Sequence, residues 1–246
     1  MRIKTTLKYQ INDYMKTLII YYLSIIGITI FFGIIPVFFK GAGYLTLGGF
    51  EFLTSVMLFV LGLFSFKEMF LMMLQNGISR KTMFIGRLIT MSAVSIVASI
   101  IDRLIINVGK IISKANDKIV IAGIYDMMFE QRNQKSLLYN LKAIFITIFL
   151  YMAVILFGYF IAAIFYRMNR AAKLAVAVGV PAFLLVVLPI LDYTVFNGKV
   201  FLLINNFLNF VFAGDNPYNL LITCLLFIAA VVCLSWVVIR KAVDKK

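Results

Sequence analysis

Long apolar runs alternate with short polar breaks along this chain, and the runs set its architecture. Six of them lie near 18–39, 45–66, 84–106, 143–165, 171–191 and 218–238. Each is long enough to cross a ~30 Å hydrocarbon core as a helix. They predict a single all-α integral membrane domain, 1–246, with six transmembrane helices. The first run is too long for a cleaved signal peptide, begins too far from the N-terminus, and lacks a convincing small-residue cleavage site.

Three segments do not fit a span. Residues 3–16 place Ile3, Leu7, Ile11 and Met15 at four-residue spacing, with Lys4, Lys8 and Lys16 projecting elsewhere. That pattern predicts an amphipathic elbow helix, 1–17, resting on one leaflet. It serves either as an anchor alone or also as a contact for a cytoplasmic partner. Residues 107–142 form the longest polar segment, an outer loop that could fold into a small cap. Residues 200–213 are apolar but only 14 long, and Asn205, Asn206 and Asn209 interrupt them. Within 198–217 they predict either a re-entrant segment or an interfacial helix on the outer side, ended by the turn sequence GDNP.

Charge orients the spans. The chain carries 24 Lys+Arg against 10 Asp+Glu, a net charge of +14. In a soluble protein that excess would suggest nucleic acid, but here the cations occupy short loops. Fifteen fall at the termini and in the second and fourth loops, Arg80, Lys81, Arg87, Arg167, Arg170 and Lys173 among them. Eight fall on the other side, six of them in the long 107–142 loop, where such charges count less. Both termini therefore read as cytoplasmic. Composition supports lipid as the main solvent: 63% of residues are hydrophobic and 14% charged, with a mean hydropathy of +1.01.

The same composition limits the chemistry. Histidine is absent, so no His-ligated metal site and no His base exists. Cys224 and Cys233 lie roughly 13 Å apart along one helix, too far for a disulfide within the chain. Within the spans only Asp102 and Arg103 read as candidate buried charges. They project about 100° apart and are expected to snorkel outward. So few ionisable groups argue against ion-coupled transport and against an intramembrane enzyme. No G-x-x-x-x-G-K-[ST] motif occurs, and GAGYLTLGG lacks the lysine. The chain is expected to bind no cofactor itself.

The most turn-like cationic stretch, LQNGISRKTMFIGRL, falls between the second and third spans. Lys67 to Gln75 predict a short helix with Glu68 in its first turn. Asn76-Gly77 ends it, and Ser79 caps the next. Met69, Phe70, Met72 and Met73 would lie on its surface, as an adaptable face for a groove on another protein or at rest against lipid.

This pattern, an apolar helix followed by N-G-I-S-R-K-T-M-F and a new span, resembles the permease subunits of type 2 ABC exporters. In that family the second loop carries the coupling helix and a similar glycine-serine-arginine-lysine turn. Six spans, inward termini, an elbow helix and an outer re-entrant segment also fit. Within the family the chain is most similar to small Gram-positive permeases that export peptides or confer peptide resistance, the phenol-soluble-modulin exporters among them. The 107–142 loop exceeds the minimal family pattern.

The resemblance implies a multi-pass protein of the bacterial cytoplasmic membrane, energised by two copies of a separate ABC ATPase that binds ATP and Mg. Its interface would comprise Lys67, Glu68, Met69, Phe70, Met72, Met73, Gln75, Asn76, Gly77, Ser79 and Arg80. Arg167, Asn169 and Arg170 would form a second contact. A second permease copy, identical or paralogous, would complete the pathway. Ala171, Ala175 and Gly179, spaced four apart on the fifth span, suit close helix packing, either against that copy or within one subunit. Pro181 and Pro189 then interrupt the span. An apolar pathway suits a hydrophobic or amphipathic cargo, a peptide or a lipid-like molecule. A stand-alone membrane immunity protein or a channel is the alternative, and neither requires an exposed partner helix in the second loop.

Overall fold

The computed structural model describes residues 3–38, 45–115, 119–129, 137–213 and 216–240. Six helices there are long and apolar enough to cross a membrane: Leu7–Phe31, Phe50–Gln75, Arg80–Ile111, Leu137–Arg167, Arg170–Thr194 and Tyr218–Arg240. In chain order the elements are α1 (Ile3–Phe38), β1 (Leu45–Gly48), α2 (Phe50–Phe64), α3 (Lys67–Gln75) and α4 (Arg80–Ala115). Then come β2 (Ile119–Ala122), α5 (Ile124–Met128), α6 (Leu137–Arg167), α7 (Arg170–Ala182), α8 (Leu188–Thr194), α9 (Lys199–Leu208) and α10 (Tyr218–Arg240).

Helix α6 is the centre of the bundle and packs on α2, α4 and α10, while α1 packs on α4. Where α2 crosses α6, glycine meets glycine. A Cβ at Gly62 would collide with the Ile155 carbonyl, and one at Gly158 with the Phe59 carbonyl. The two small residues let the α2 and α6 backbones touch, which is how apolar helices gain packing energy in lipid.

Helix α1 departs from the expected elbow. It runs unbroken for 36 residues, so residues 3–16 and the first span are one helix. The face it buries is Gln10, Tyr14, Leu18, Tyr22 and Ile25, whereas Leu7, Ile11 and Met15 of the apolar stripe are only half-buried. Hydrogen bonding explains the choice. Thr90 Oγ1 donates to Gln10 Oε1 at 3.1 Å, and Gln10 Nε2 donates to Met73 Sδ at 3.5 Å. A buried amide with partners on two other helices is tolerated where an unpartnered one would be costly.

The second span starts later than expected. Residues 45–48 are not helical but pair in parallel with β2, Leu45 opposite Ile119 through Gly48 opposite Ala122. Gly49, at φ +81°, turns the strand into α2. A small two-stranded ribbon therefore accompanies the helices. The third span likewise overshoots its expected end near 106 and continues to Ala115.

The fifth span stands apart. The Arg170–Thr194 segment buries none of its apolar window against the rest of the chain. Between Pro181 and Pro189 its backbone switches to a π-helical turn, Phe183–Val187. That wider winding accommodates the amide donors the prolines lack. Asp192, almost fully buried, then accepts the Val200 and Phe201 amides at 2.9 and 3.1 Å and fastens α8 to α9.

Candidate functional site

The expected short helix is present as α3, Lys67–Gln75, which follows a turn at Ser65–Phe66 and closes the apolar Phe50–Gln75 segment. Its end is built by backbone chemistry. Gly77 sits at φ +67°. The Ile78 amide donates to the Met73 carbonyl and the Gly77 amide to the Leu74 carbonyl, both at 3.0 Å. This is a Schellman closure, which a left-handed residue makes possible. Ser79 Oγ then accepts the Thr82 amide at 3.2 Å and starts α4 at Arg80. Arg80 donates to the Arg240 carbonyl at 2.8 Å, so the starts and ends of these spans share one basic end of the bundle.

The face of α3 is the reverse of the expectation. Met69, Phe70 and Met73 are buried in the chain's own core, at 7%, 1% and 1% exposure. Phe70 stacks on Phe66 at 5.3 Å and meets Tyr166 edge to face at 5.4 Å. These side chains cannot form a hydrophobic docking face, because α6 and α1 already cover them. Met72 is half-buried; Gln75, Asn76, Gly77 and Ser79 are exposed and Arg80 is half-exposed. The side chains of Lys67 and Glu68 lie outside the described residues. The surface offered by this region is thus a polar tip.

Arg87, expected among the loop cations, is also buried, at 2% exposure. It donates to Tyr14 Oη at 3.0 Å and to the Ser65 carbonyl at 2.7 Å. Its guanidinium also lies over the Tyr14 and Tyr159 rings, 5.3 and 5.9 Å from their centroids. It ties α1, the α2–α3 junction and α6 together beneath the tip.

The second expected contact lies against the first. Tyr166, which ends α6 together with Arg167, touches both Phe66 and Phe70. Asn169 accepts the Ala172 amide at 2.8 Å and caps α7, and its neighbour Arg170 is exposed. Ala171, Ala175 and Gly179 are exposed along α7, with open space beyond Gly179, so they are not packed against the described residues.

At the opposite end is a polar cluster that the sequence reading missed. Asp102 and Arg103 do not snorkel; they are 1% and 3% exposed and reach separate partners. Asp102 accepts Tyr151 Oη, and Thr54 Oγ1 at 3.2 Å. Arg103 donates to Asn140 Oδ1 at 2.9 Å and pairs with Asp126 at 3.3 Å. Lys110 closes on Asp126 at 2.7 Å. Tyr139 donates to Asp126, and Glu51, 2% exposed, accepts the Ile124 amide. Burial pushes the Asp126 carboxyl up, but the Lys110 and Tyr139 hydrogen bonds and the Arg103 charge outweigh it and hold it below its ordinary value.

Glu51 is a further buried carboxylate that the sequence did not single out, and its position inside an apolar run was the available signal. Asp126 and Lys110 gave none, since only the fold brings residues 119–129 back onto α4 and α6. Asp102 lies 22 residues beyond Arg80, or about 33 Å along α4, so the cluster is well separated from the basic end. Beside it an apolar cavity of about 330 Å³ opens between α2, α5 and α6, lined by Phe52, Tyr125, Phe129 and Leu150.

No protein-family model matches the chain, and neither the curated proteins nor the solved structures contain a match.

Proposed function

We propose that this chain is the membrane subunit of an ATP-driven exporter, its basic end facing the cytoplasm and a separate ABC ATPase. The observation that carries the proposal is the closed turn between α3 and α4. A nine-residue helix that is anchored by Phe70 and Met73 and ends in an exposed polar tip is a rigid lever. Force applied at Gln75–Ser79 passes through the buried face of α3 into α1, α4 and α6. The second contact, Arg167–Arg170, would receive the same partner, because Tyr166 packs directly on α3.

The unpartnered fifth span supports a second copy, with Ala171, Ala175 and Gly179 as the packing stripe. The cargo is hydrophobic or amphipathic, a membrane-dissolved peptide being the best fit to spans this apolar, whose buried charges are engaged in hydrogen bonds within the chain. The likeness to the type 2 ABC exporter permeases supports the export direction and the bacterial cytoplasmic membrane.

One observation favours a second reading, a stand-alone immunity protein. Burial of the Met-Phe face removes the hydrophobic docking surface, and the outer apolar cavity beneath α5 could sequester a peptide side chain. Co-expression with the ATPase encoded beside this chain separates the two. Stoichiometric co-purification that is weakened by Gln75→Trp at the exposed tip supports the exporter. Failure of the folded chain to associate with it supports the immunity protein.

A further inference from the structure

The basic end of the bundle also holds a groove beside the Tyr166 contact that the proposed coupling uses. A cavity of about 580 Å³ lies between α2 and α6, beside the start of α7. Its walls are apolar: Leu63 and Phe66 on one side, Ile161, Ala162 and Phe165 on the other. At its rim stand Tyr166 and a single charged side chain, Lys173. Lys173 is exposed, and among the described residues no carboxylate lies within ion-pair distance of it. Arg170, one turn earlier on α7, is exposed as well.

An apolar slot with a cation at its mouth matches one class of molecule, a lipid with a negative headgroup. The depth agrees, because Tyr166 and Lys173 flank the break between α6 and α7, where the chain leaves the hydrocarbon. We propose that this groove binds an anionic phospholipid, one acyl chain lying along the α2–α6 slot and the phosphate resting on Lys173 Nζ. Basic pockets between spans recognise such headgroups by charge, while the slot supplies the apolar area that fixes the tail. A zwitterionic lipid carries its own cation beside the phosphate and offers Lys173 no net negative charge. A second copy of the chain would have to bring one of its 10 carboxylates to this spot.

The test uses the purified chain alone, so its outcome is independent of the exporter reading. The chain is reconstituted in nanodiscs of phosphatidylglycerol and phosphatidylcholine, extracted gently, and its retained lipids are read by native mass spectrometry. The wild type is expected to retain phosphatidylglycerol preferentially. Lys173→Glu should reduce that preference about tenfold or more, and Lys173→Arg should keep it. Ala162→Phe keeps the charge and fills the slot, and should lose the lipid as well. Inorganic phosphate should not displace it, since phosphate lacks the tail. Equal retention of both lipids, or retention unchanged in Lys173→Glu and Ala162→Phe, overturns the proposal. So does displacement by phosphate, or a shift from dimer to monomer in Ala162→Phe with lipid retention intact.

Discussion

Phe70 of α3 and Tyr166 at the end of α6 meet edge to face, with ring centroids 5.4 Å apart and planes at 63°. That contact joins the two segments expected to face a cytoplasmic partner into one surface, although they are almost a hundred positions apart in sequence. It also assigns Phe70 a different role from the one its exposure in a loop would imply. Phe70 holds the tip in place.

Phe70→Ala should therefore cost stability, on the order of 3 kcal/mol for a buried aromatic ring. Phe70→Asp should cost more, because it would also bury an unpaired charge. Thermal melting in detergent followed by size-exclusion chromatography reads both. A Phe70→Ala variant as stable as the wild type would show that α3 is not anchored through this ring.

Gly77 tests the turn. Open space surrounds its Cβ position, so any penalty comes from the backbone at φ +67° rather than from a clash. Gly77→Val should destabilise by about 1–2 kcal/mol, whereas Gly77→Asn should cost little, since asparagine tolerates the left-handed region. Equal melting temperatures for the two variants would contradict the Schellman closure.

At the α2–α6 crossing the penalty is steric. Gly158→Val should push the two backbones apart and cost roughly 1–3 kcal/mol or prevent folding, with Gly62→Val behaving alike. The double variant should cost less than the sum of the two, because the first separation already relieves the second. Additive losses would place the two glycines in independent contacts.

Much of this fold was legible in the chain. Apolar run length placed all six spans, and Asn76-Gly77 followed by Ser79 placed the end of α3 and the start of α4 at their observed residues. What sequence could not give was direction. The helical repeat makes Met69, Phe70 and Met73 one face, but which way that face turns depends on the aromatic ends of α2 and α6. In α1 the apolar stripe misled, because Gln10 finds partners on α3 and α4 and so takes the buried side. The polar cluster around Asp126 was illegible for the same reason. Asp126 acquires its cations only when residues 119–129 fold back, and a strand pair between residues 45–48 and 119–122 leaves no periodic trace of its own.

Asp126 makes stability pH-dependent. Its carboxyl is held below the ordinary value of 3.8. A lowered folded value contributes stability that is complete above the unfolded value and is lost as the pH falls through the folded one. The Asp126 ties on residues 119–129 should thus hold at neutral pH and loosen as the pH falls below about 4. Asp126→Asn should already be loosened at neutral pH and lack that acid step. Hydrogen exchange at residues 119–129 measures this, and an acid step of unchanged size in Asp126→Asn would refute the assignment.

The central claim is that the tip at residues 75–79 meets a separate ATPase. The most direct measurement is thiol cross-linking in membranes from cells co-expressing the neighbouring ATPase. It compares Asn76→Cys at the tip with Tyr193→Cys, an exposed position on α8, both with Cys233→Ser to remove the exposed native thiol. The account predicts a cross-linked band of the summed mass from Asn76→Cys alone, responsive to ATP. No band from Asn76→Cys in a folded, membrane-inserted chain, or equal bands from both positions, would contradict it.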